Sequence, residues 1–227
     1  MSEADAVDWV ARAIAEGRPR LVISVNPERI MRAGRDPEFA AVLRRADLAL
    51  ADGAGVLWAA RRLGHQLPGR VAGVDLLQAL AARGGPAGWR FFFLGGAPGV
   101  AQAAGQVLRE RYPGFRLAGT NAASPDPFND ALTTQAVRSS GAQLLFLAYG
   151  AAAEEAWLAR NLTRSGAIVG MGVGGAFDFI SGRSRRAPPW MRERGLEWLH
   201  RLGQEPWRWR RMLALPRFVV RVLREPR

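Results

Sequence analysis

A single aspartate stands where a predicted strand ends and could act as a general base. Asp52 follows the apolar run at residues 48–51 and is flanked by Gly53 and Gly55. A carboxylate at the carboxyl end of a buried strand has low-dielectric surroundings, which tune its pKa for proton transfer. The same position suits the N-cap of a helix that begins near Gly55. The pattern favours the two roles about equally.

Further polar residues and glycine-rich turns end the neighbouring predicted strands. Asn26 follows the strand 21–25 and could orient substrate hydroxyls, or it could cap the turn at Pro27. Ser24 is better explained as a buried polar residue than as a nucleophile, because no histidine lies at a recognisable spacing. Glycine-containing turns follow three further strands, and turns of this kind can cradle phosphate where they open helices. These turns lie at residues 95–99, 149–150 and 172–175.

The positive charge of the chain is concentrated at its end. Residues 181–227 hold 13 arginines and four acids, a balance of +9 out of a total of +12. Arg201, Arg208 and Arg211 stand at spacings of seven and three, which keeps side chains on one helix face, although Pro206 starts a new helix between them. The planar fork of arginine binds diphosphate oxygens in pairs without a metal ion. A diphosphate subsite is therefore one prediction for this segment.

Two other interpretations of this segment remain open. Arginines interleaved with Trp207 and Trp209 also suit nucleic acid, through phosphate contacts and base stacking. The apolar side of the segment is larger than a free helix tolerates, so it docks on the body, self-associates or lies in a membrane interface. The candidates for contact with anionic lipid headgroups are Arg217, Arg221, Arg224 and Arg227.

Composition narrows the chemistry further. The chain has no cysteine and only two histidines, which excludes disulfides, thiolate metal sites and a histidine-based metal cluster. No Asp-x-Asp pair is present, which weakens the case for a metal-held diphosphate. We expect neither a bound metal nor a cofactor. The N-terminus is acidic and amphipathic, unlike a signal peptide, and no apolar run approaches the roughly 18 to 20 residues that span a bilayer. We expect a cytoplasmic protein that meets a membrane only at its surface.

Short apolar runs that alternate with helical patterns must position these residues. The predicted strands are 21–25, 47–51, 89–94, 115–118, 143–148 and 167–173, and the predicted helices are 5–16, 38–45, 56–63, 74–82, about 100–111 and 152–161. Strands of this kind predict an α/β Rossmann-like fold, with a mostly parallel sheet and helices on both faces. Residues 1–180 form this body and residues 181–227 a cationic helical appendage. Ligands of such sheets bind at the carboxyl ends of the strands.

An ordered set of motifs, from about residue 20 to 215, resembles the WecG/TagA/CpsF family of bacterial glycosyltransferases. The motifs are SVNPE (24–28), ADGAGV (51–56), RVAGVDL (70–76), FFLGG (92–96), GVGGAFD (172–178), Gly182, RAP (186–188) and LEWL (196–199), followed by Arg201, Glu205-Pro206, Arg208 and Arg211. The resemblance implies a hexosyltransferase of the N-acetylmannosaminyltransferase type. Such an enzyme transfers a sugar, with inversion, from a UDP-sugar to a polyprenyl-diphosphate-linked sugar in cell-surface polymer synthesis. It implies a peripheral enzyme on the inner face of the membrane, independent of metal and without a nucleic acid partner. A homo-oligomer is left open.

The resemblance also implies roles for particular residues. The catalytic aspartate of the family falls on Asp52 and its polar pair on Ser24 and Asn26. The C-terminal arginines that close over the diphosphate fall on Arg201, Arg208 and Arg211. The remaining substrate-binding positions are Arg70, Asp75, Glu154, Gly172, Gly174, Gly175 and Asp178.

One segment departs from the family pattern. The family usually carries Gly-x-Pro-Lys-Gln-Glu after the fifth strand, whereas residues 150–157 of this chain read GAAAEEAW. Glu154 therefore replaces an amide, and its carboxylate could repel phosphate or bind sugar hydroxyls. N-acetylmannosamine is consequently not assumed as the donor sugar. A catalytically silent membrane scaffold of the same fold is an alternative.

Overall fold

Six short strands, each built from an apolar run, form the centre of the molecule. The computed structural model describes residues 1–150 and 152–225, except the side chains of residues 193 and 208. The strands are β1 (Arg20–Val25), β2 (Leu48–Ala51), β3 (Arg90–Gly95), β4 (Arg116–Asn121), β5 (Leu144–Ala148) and β6 (Val169–Gly172). They form one sheet in the order β2-β1-β6-β5-β3-β4, and each neighbouring pair is parallel. The predicted α/β sheet is confirmed.

Helices connect the strands and cover both faces of the sheet. Those of the body are α1 (Glu3–Glu16), α2 (Pro27–Ala33), α3 (Pro37–Arg44), α4 (Ala54–Arg62), α5 (Gly73–Ala87), α6 (Val100–Arg111), α7 (Asp130–Ser140), α8 (Ala153–Ser165) and α9 (Ala176–Ile180). One face packs against α1, α5, α6 and α9 around Phe91, Phe93 and Phe146. The other packs against α3, α7 and α8 around Phe92 and Trp157. Two apolar layers enclose the sheet because parallel strands bury both of their faces.

Three helices of the body, α2, α7 and the short α9, are absent from the sequence-based prediction. Helix α2 begins directly at Pro27, and α7 begins at Asp130, immediately after a 3-10 turn (Pro127–Asn129). The predicted surface loop 120–130 is also shorter than expected, because β4 continues to Asn121. Helix α7 supplies the crossover from β4 to β5, which lie on either side of β3 and run parallel to it.

Four further helices follow the body. They are α10 (Pro189–Glu193), α11 (Glu197–Gln204), α12 (Trp209–Met212) and α13 (Ala214–Arg224), with a 3-10 turn (Pro206–Arg208) before α12. Phe218 and Val222 of α13 are buried against Ala59 of α4 and against Ile30 and Met31 of α2. The appendage is therefore helical, as predicted, and its last helix docks on the body. The division at residue 180 into body and appendage stays a prediction.

Candidate active site

The carboxyl ends of the strands and the appendage enclose a cleft of about 1120 Å³. Residues that follow β1, β2, β5 and β6 line one side, and residues of α11 to α13 line the other. This is the edge at which ligands bind in open α/β sheets. The predicted site residues that line the cleft are Ser24, Asn26, Asp52, Arg70, Gly174, Gly175, Asp178, Arg201 and Arg211.

Asp52 lies at the floor of the cleft, directly after β2. Its backbone N–H donates to the carbonyl of Val25 at 2.7 Å, which continues the ladder between β1 and β2 by one residue. The N-cap of α4 is Gly53, with φ of +104°, and that helix has no side-chain cap. Asp52 is therefore not the N-cap of α4, one of the two roles that the sequence allows, and it lines the cleft.

The surroundings of Asp52 tune it toward proton transfer. Burial raises the pKa of Asp52 from 3.8 to about 6, against the opposing effects of the Arg70 and Arg29 cations. A carboxyl group with a pKa near 6 is ionised at neutral pH, yet it is more basic than an ordinary aspartate. These are the properties of a general base.

Ser24 and Asn26, the polar pair at the end of β1, have structural roles and also border the cleft. The Oδ1 atom of Asn26 accepts a hydrogen bond from the backbone N–H of Arg29 at 2.9 Å and caps α2. Its amide nitrogen is a donor that this cap does not use. Ser24 is buried, and its hydroxyl accepts a long hydrogen bond of 3.4 Å from the Arg29 guanidinium. The structure thus shows the cap at Asn26 and the buried polar role at Ser24, while both residues border the cleft.

A network of charged side chains holds the wall beside Asp52. Arg70 donates to Glu197 at 2.9 Å, and Arg186 donates to the other Glu197 oxygen at 3.2 Å. Arg186 also binds both carboxylate oxygens of Asp75, one of them at 2.7 Å. Asp75 is therefore enclosed in ion pairs outside the cleft lining, in contrast to its predicted place at the substrate. The network joins α5 to the appendage.

Sequence reasoning missed Arg186 and Glu197. Both lie within motifs that carry the resemblance, RAP (186–188) and LEWL (196–199). Nothing in their spacing connects them with Arg70, because Arg70 and Glu197 are 127 positions apart in the chain. Only the fold brings them together.

Glu154 lies beneath the cleft rather than in it. Its side chain has no exposed surface, and burial raises its pKa to about 7. Arg29 is buried between Glu154 and Glu155, at 3.1 Å from the first and 2.7 Å from the second. Direct contact with a sugar, as predicted for Glu154, is not possible in this arrangement. Arg29 and Glu155 were missed because they are 126 positions apart in the chain.

The glycines after β5 and β6 do not form the predicted phosphate cradle. They contact Glu154 or allow other side chains to approach closely. The backbone N–H groups of Gly150 and Gly174 donate to Glu154, so neither is available to a phosphate. Gly172 is buried, and a side chain there would overlap Glu154. Gly175 leaves room for Arg201, whose guanidinium lies 2.6 Å from where a Cβ would be. These glycines permit close approach, which is a different function from anion binding.

Two arginines of the appendage, Arg201 and Arg211, lie at this edge of the sheet, and acidic side chains balance their positive charges only in part. Arg201 lies over the ring of Phe179 at 5.3 Å, and its enclosed Nε atom has no hydrogen-bond partner among the described residues. Burial, followed by the charge of Arg211, lowers the pKa of Arg201. Arg211 forms an ion pair with Glu28 at 2.7 Å. An anion bound between Arg201 and Arg211 would relieve their repulsion. The side chain of Arg208 lies outside the described residues.

Asp178 also borders the cleft. Its carboxylate is 3.7 Å from the guanidinium of Arg183, and both side chains line the cavity. The distance allows an ion pair but no direct hydrogen bond. Asp178 is therefore available to substrate hydroxyls.

Much of the apolar surface of the appendage stays exposed. Docking of α13 buries Phe218 and Val222, but the large side chains on the outer faces remain open to solvent. These are Trp190, Trp198, Leu199, Trp207, Trp209, Leu213, Val219, Val220 and Leu223. Trp207 is 72% exposed, the highest value for an apolar residue of this segment. The appendage thus docks on the body through some of its apolar side chains and leaves others exposed to solvent.

The described residues bear on two further properties, metal binding and membrane crossing. No three histidine, aspartate or glutamate side chains of this part of the chain are grouped so that they could hold a metal ion. No helix within it has the length and apolar character needed to cross a membrane. Independence from metal stays a prediction.

Comparison with known proteins places the chain among sugar transferases. The whole chain, residues 1–227, matches the "Glycosyl transferase WecG/TagA/CpsF family". It is 30% identical over 220 residues to the N-acetylglucosaminyldiphosphoundecaprenol N-acetyl-beta-D-mannosaminyltransferase of Bacillus subtilis, which covers 96% of this chain and 85% of that protein. A protein of the same name from Bacillus spizizenii is 31% identical over 212 residues, with coverage of 93% and 82%.

Proposed function

The chain belongs to the WecG/TagA/CpsF family of glycosyltransferases, and we propose that it transfers a hexose-type sugar from a UDP-sugar to a polyprenyl-diphosphate-linked sugar, with inversion. The names of the two relatives contain an N-acetylmannosaminyl group and an N-acetylglucosaminyl-diphosphate-undecaprenol acceptor. These compounds are therefore the first substrates to test. The donor sugar of this chain is left open because residues 150–157 depart from the family pattern.

The observation that carries this proposal is Asp52 at the floor of the cleft with a pKa near 6. In the proposed step, Asp52 accepts the proton of the acceptor hydroxyl while that oxygen bonds to the anomeric carbon. The bond from the anomeric carbon to the diphosphate oxygen breaks, and its electron pair leaves with UDP. A single displacement of this kind inverts the configuration of the anomeric carbon. The transition state has oxocarbenium character, as in glycoside hydrolysis.

The leaving diphosphate needs positive charge at the opposite side of the cleft. Arg201 and Arg211 line that side, and their mutual repulsion is lowest when an anion lies between them. Charge that develops on UDP in the transition state is stabilised by such fixed cations in a water-poor site. Arg208 remains a third candidate on the basis of the sequence alone.

Contact with the inner face of the membrane is part of the same proposal. The polyprenyl chain of the acceptor stays in the bilayer, so the cleft has to open close to its surface. The exposed tryptophans and leucines of the appendage, together with Arg217, Arg221 and Arg224, suit an anionic interface. Cosedimentation with vesicles that contain anionic lipid, compared with neutral vesicles, measures this contact. Equal recovery with both compositions at low salt contradicts an electrostatic contribution.

The catalytic role of Asp52 is tested by replacing it with asparagine. The purified chain is incubated with a panel of UDP-sugars and a short polyprenyl-diphosphate-N-acetylglucosamine, and UDP release is followed. We expect Asp52→Asn to lower kcat by about 10²–10⁴-fold, the usual contribution of a general base. The anomeric configuration of the product, read by NMR, tests inversion directly.

Asp8→Asn is the matched control, because Asp8 is exposed on α1 and does not line the cleft. It makes the same chemical change and should leave kcat unaltered. Asp52→Asn that turns over as fast as Asp8→Asn contradicts the proposed base. Wild-type protein that releases no UDP with any donor supports the silent scaffold instead.

A further inference from the structure

A buried ion cluster, whose cation Arg29 borders the cleft, is not explained by stability alone. Arg29 of α2 donates to Glu155 at 2.8 Å and to Glu154 at 3.1 Å, and all three residues are buried. One cation shared by two carboxyl groups keeps charge out of water, which is costly and raises the pKa of Glu154 to about 7. Apolar side chains of the same volume would hold α2 against α8 at a lower cost. The cluster therefore calls for a role beyond packing.

The second contact of Glu154 points to that role. Its Oε1 atom accepts hydrogen bonds from the backbone N–H groups of Gly150, at 3.0 Å, and Gly174, at 2.8 Å. Both glycines line the cleft, and both have positive φ, +87° and +55° respectively. A single carboxylate oxygen thus fixes the loop after β5 and the loop after β6 relative to each other. Gly172 makes this possible, because any side chain there would overlap Glu154.

The fixed loop carries the contact surface of a cleft arginine. Gly175 follows Gly174, and the guanidinium of Arg201 packs on Gly175 in the space that a Cβ would occupy. The Nε atom of Arg201 has no hydrogen bond among the described residues and only a 3.9 Å ion pair with Glu205, so the packing on Gly175 and the Phe179 ring contribute to its position. A shift of the Gly174 loop therefore moves the surface on which Arg201 rests.

We propose that Glu154 is a positioning residue for the diphosphate subsite, which it sets by holding the Gly150 and Gly174 amides without touching the substrate. This inference rests on the proposed function of the cleft. Glu154 replaces the amide that is usual in the family pattern. Its carboxylate would shape the two loops and would not contact the donor sugar.

Two substitutions separate the two contacts of Glu154. In Glu154→Ala both the amide contacts and the pairing with Arg29 are lost. In Glu154→Gln the Oε1 atom can still accept from both amides, and only the ionic contact is lost. We expect Glu154→Ala to raise KM for the UDP-sugar about tenfold or more with a smaller change in kcat, because ground-state and transition-state binding weaken together. Glu154→Gln should raise KM by a smaller factor, about threefold or less.

A double-mutant cycle with Arg201→Ala tests the connection to the arginine. If Glu154 acts through Arg201, the two substitutions share one effect on KM, and the double variant is little worse than Arg201→Ala alone. A merely structural role for Glu154 predicts instead that the two effects multiply. Asp47→Ala is the control for general destabilisation. Asp47 accepts from the Leu21 amide at 2.7 Å and pairs with Arg20 at the opposite edge of the sheet, so it should lower Tm and leave KM unchanged.

Each outcome decides one of the two proposals. Wild-type protein that gives no thermal shift with UDP and no turnover contradicts the proposed function. Where wild-type protein is active, an unchanged KM in Glu154→Ala, or effects that multiply with Arg201→Ala, overturns the positioning role. A KM that rises as much in Glu154→Gln as in Glu154→Ala also overturns it, since the effect then comes from the lost pairing with Arg29.

Discussion

Replacement of Asp52 by asparagine should stabilise the folded chain at alkaline pH. Burial raises the pKa of Asp52 from 3.8 to about 6. A raised pKa means that the folded chain binds this proton more tightly than the unfolded chain. Stability therefore falls as the pH rises from about 4 to about 6, and the full cost is present above that range. Asparagine has nearly the same shape but carries no charge, so it avoids this cost.

The size of the effect follows from the shift in pKa. Each unit corresponds to about 1.4 kcal/mol, so a rise of the Asp52 pKa from 3.8 to about 6 corresponds to about 3 kcal/mol. Asp52 is only partly shielded from solvent, and solvent screening makes this figure an upper bound. We therefore expect Asp52→Asn to gain up to about 3 kcal/mol at about pH 8 and almost nothing below about pH 4.

Urea unfolding followed by far-UV circular dichroism measures the difference at both pH values. Asp8→Asn serves again as the control, because Asp8 is exposed and its substitution should not give a pH-dependent gain. The reasoning is refuted if Asp52→Asn is less stable than wild type at about pH 8. It is equally refuted if the gain is the same at both pH values, since a packing effect would not depend on protonation.

Three further predictions concern the pH profile, the appendage and one backbone position. Below about pH 6, kcat/KM should fall about tenfold per pH unit, because Asp52 becomes protonated. Arg70→Gln should move this limb to higher pH, since the Arg70 cation lowers the Asp52 pKa; initial rates across the pH range show whether the limb moves. Phe218→Ala should weaken docking of α13 by about 3–5 kcal/mol and expose the appendage to limited proteolysis. Val220→Ala is the control and should have neither effect, because the Val220 side chain is 47% exposed in wild type. Ala152→Gly should raise stability by about 1 kcal/mol, because Ala152 has a φ of +72°; an unchanged or lower Tm contradicts this.

The fold was largely predictable because its strands are continuous apolar runs. The strand predicted at 21–25 is found as Arg20–Val25, and the family resemblance is confirmed over the whole chain. Helix α2 was missed because its seven residues, PERIMRA, are too short for a periodic pattern. The sequence predicts only a turn at Pro27, whereas helix α2 begins there, directly after Asn26.

The site was predictable where a residue stands at the end of its own strand. Asp52 and Asn26 are such residues, and both border the cleft. Residues that act through a partner were not predictable, because their partners come from distant parts of the chain. Arg29 and Glu154, for example, are 125 positions apart, and no local pattern marks either as half of a pair.

The strand order has a consequence for how the chain reaches this structure. Arg20 of β1 pairs with Val169 of β6, 149 positions later (169 − 20). Closing so long a loop costs conformational entropy before any contact repays it, and folds rich in such distant pairings fold slowly. During synthesis, the edge of β1 that pairs with β6 therefore stays unpaired until β6 has left the ribosome. A chain that stops before residue 169 therefore lacks β6, the strand that joins β1 and β2 to the rest of the sheet, and we expect it to aggregate rather than form half an enzyme.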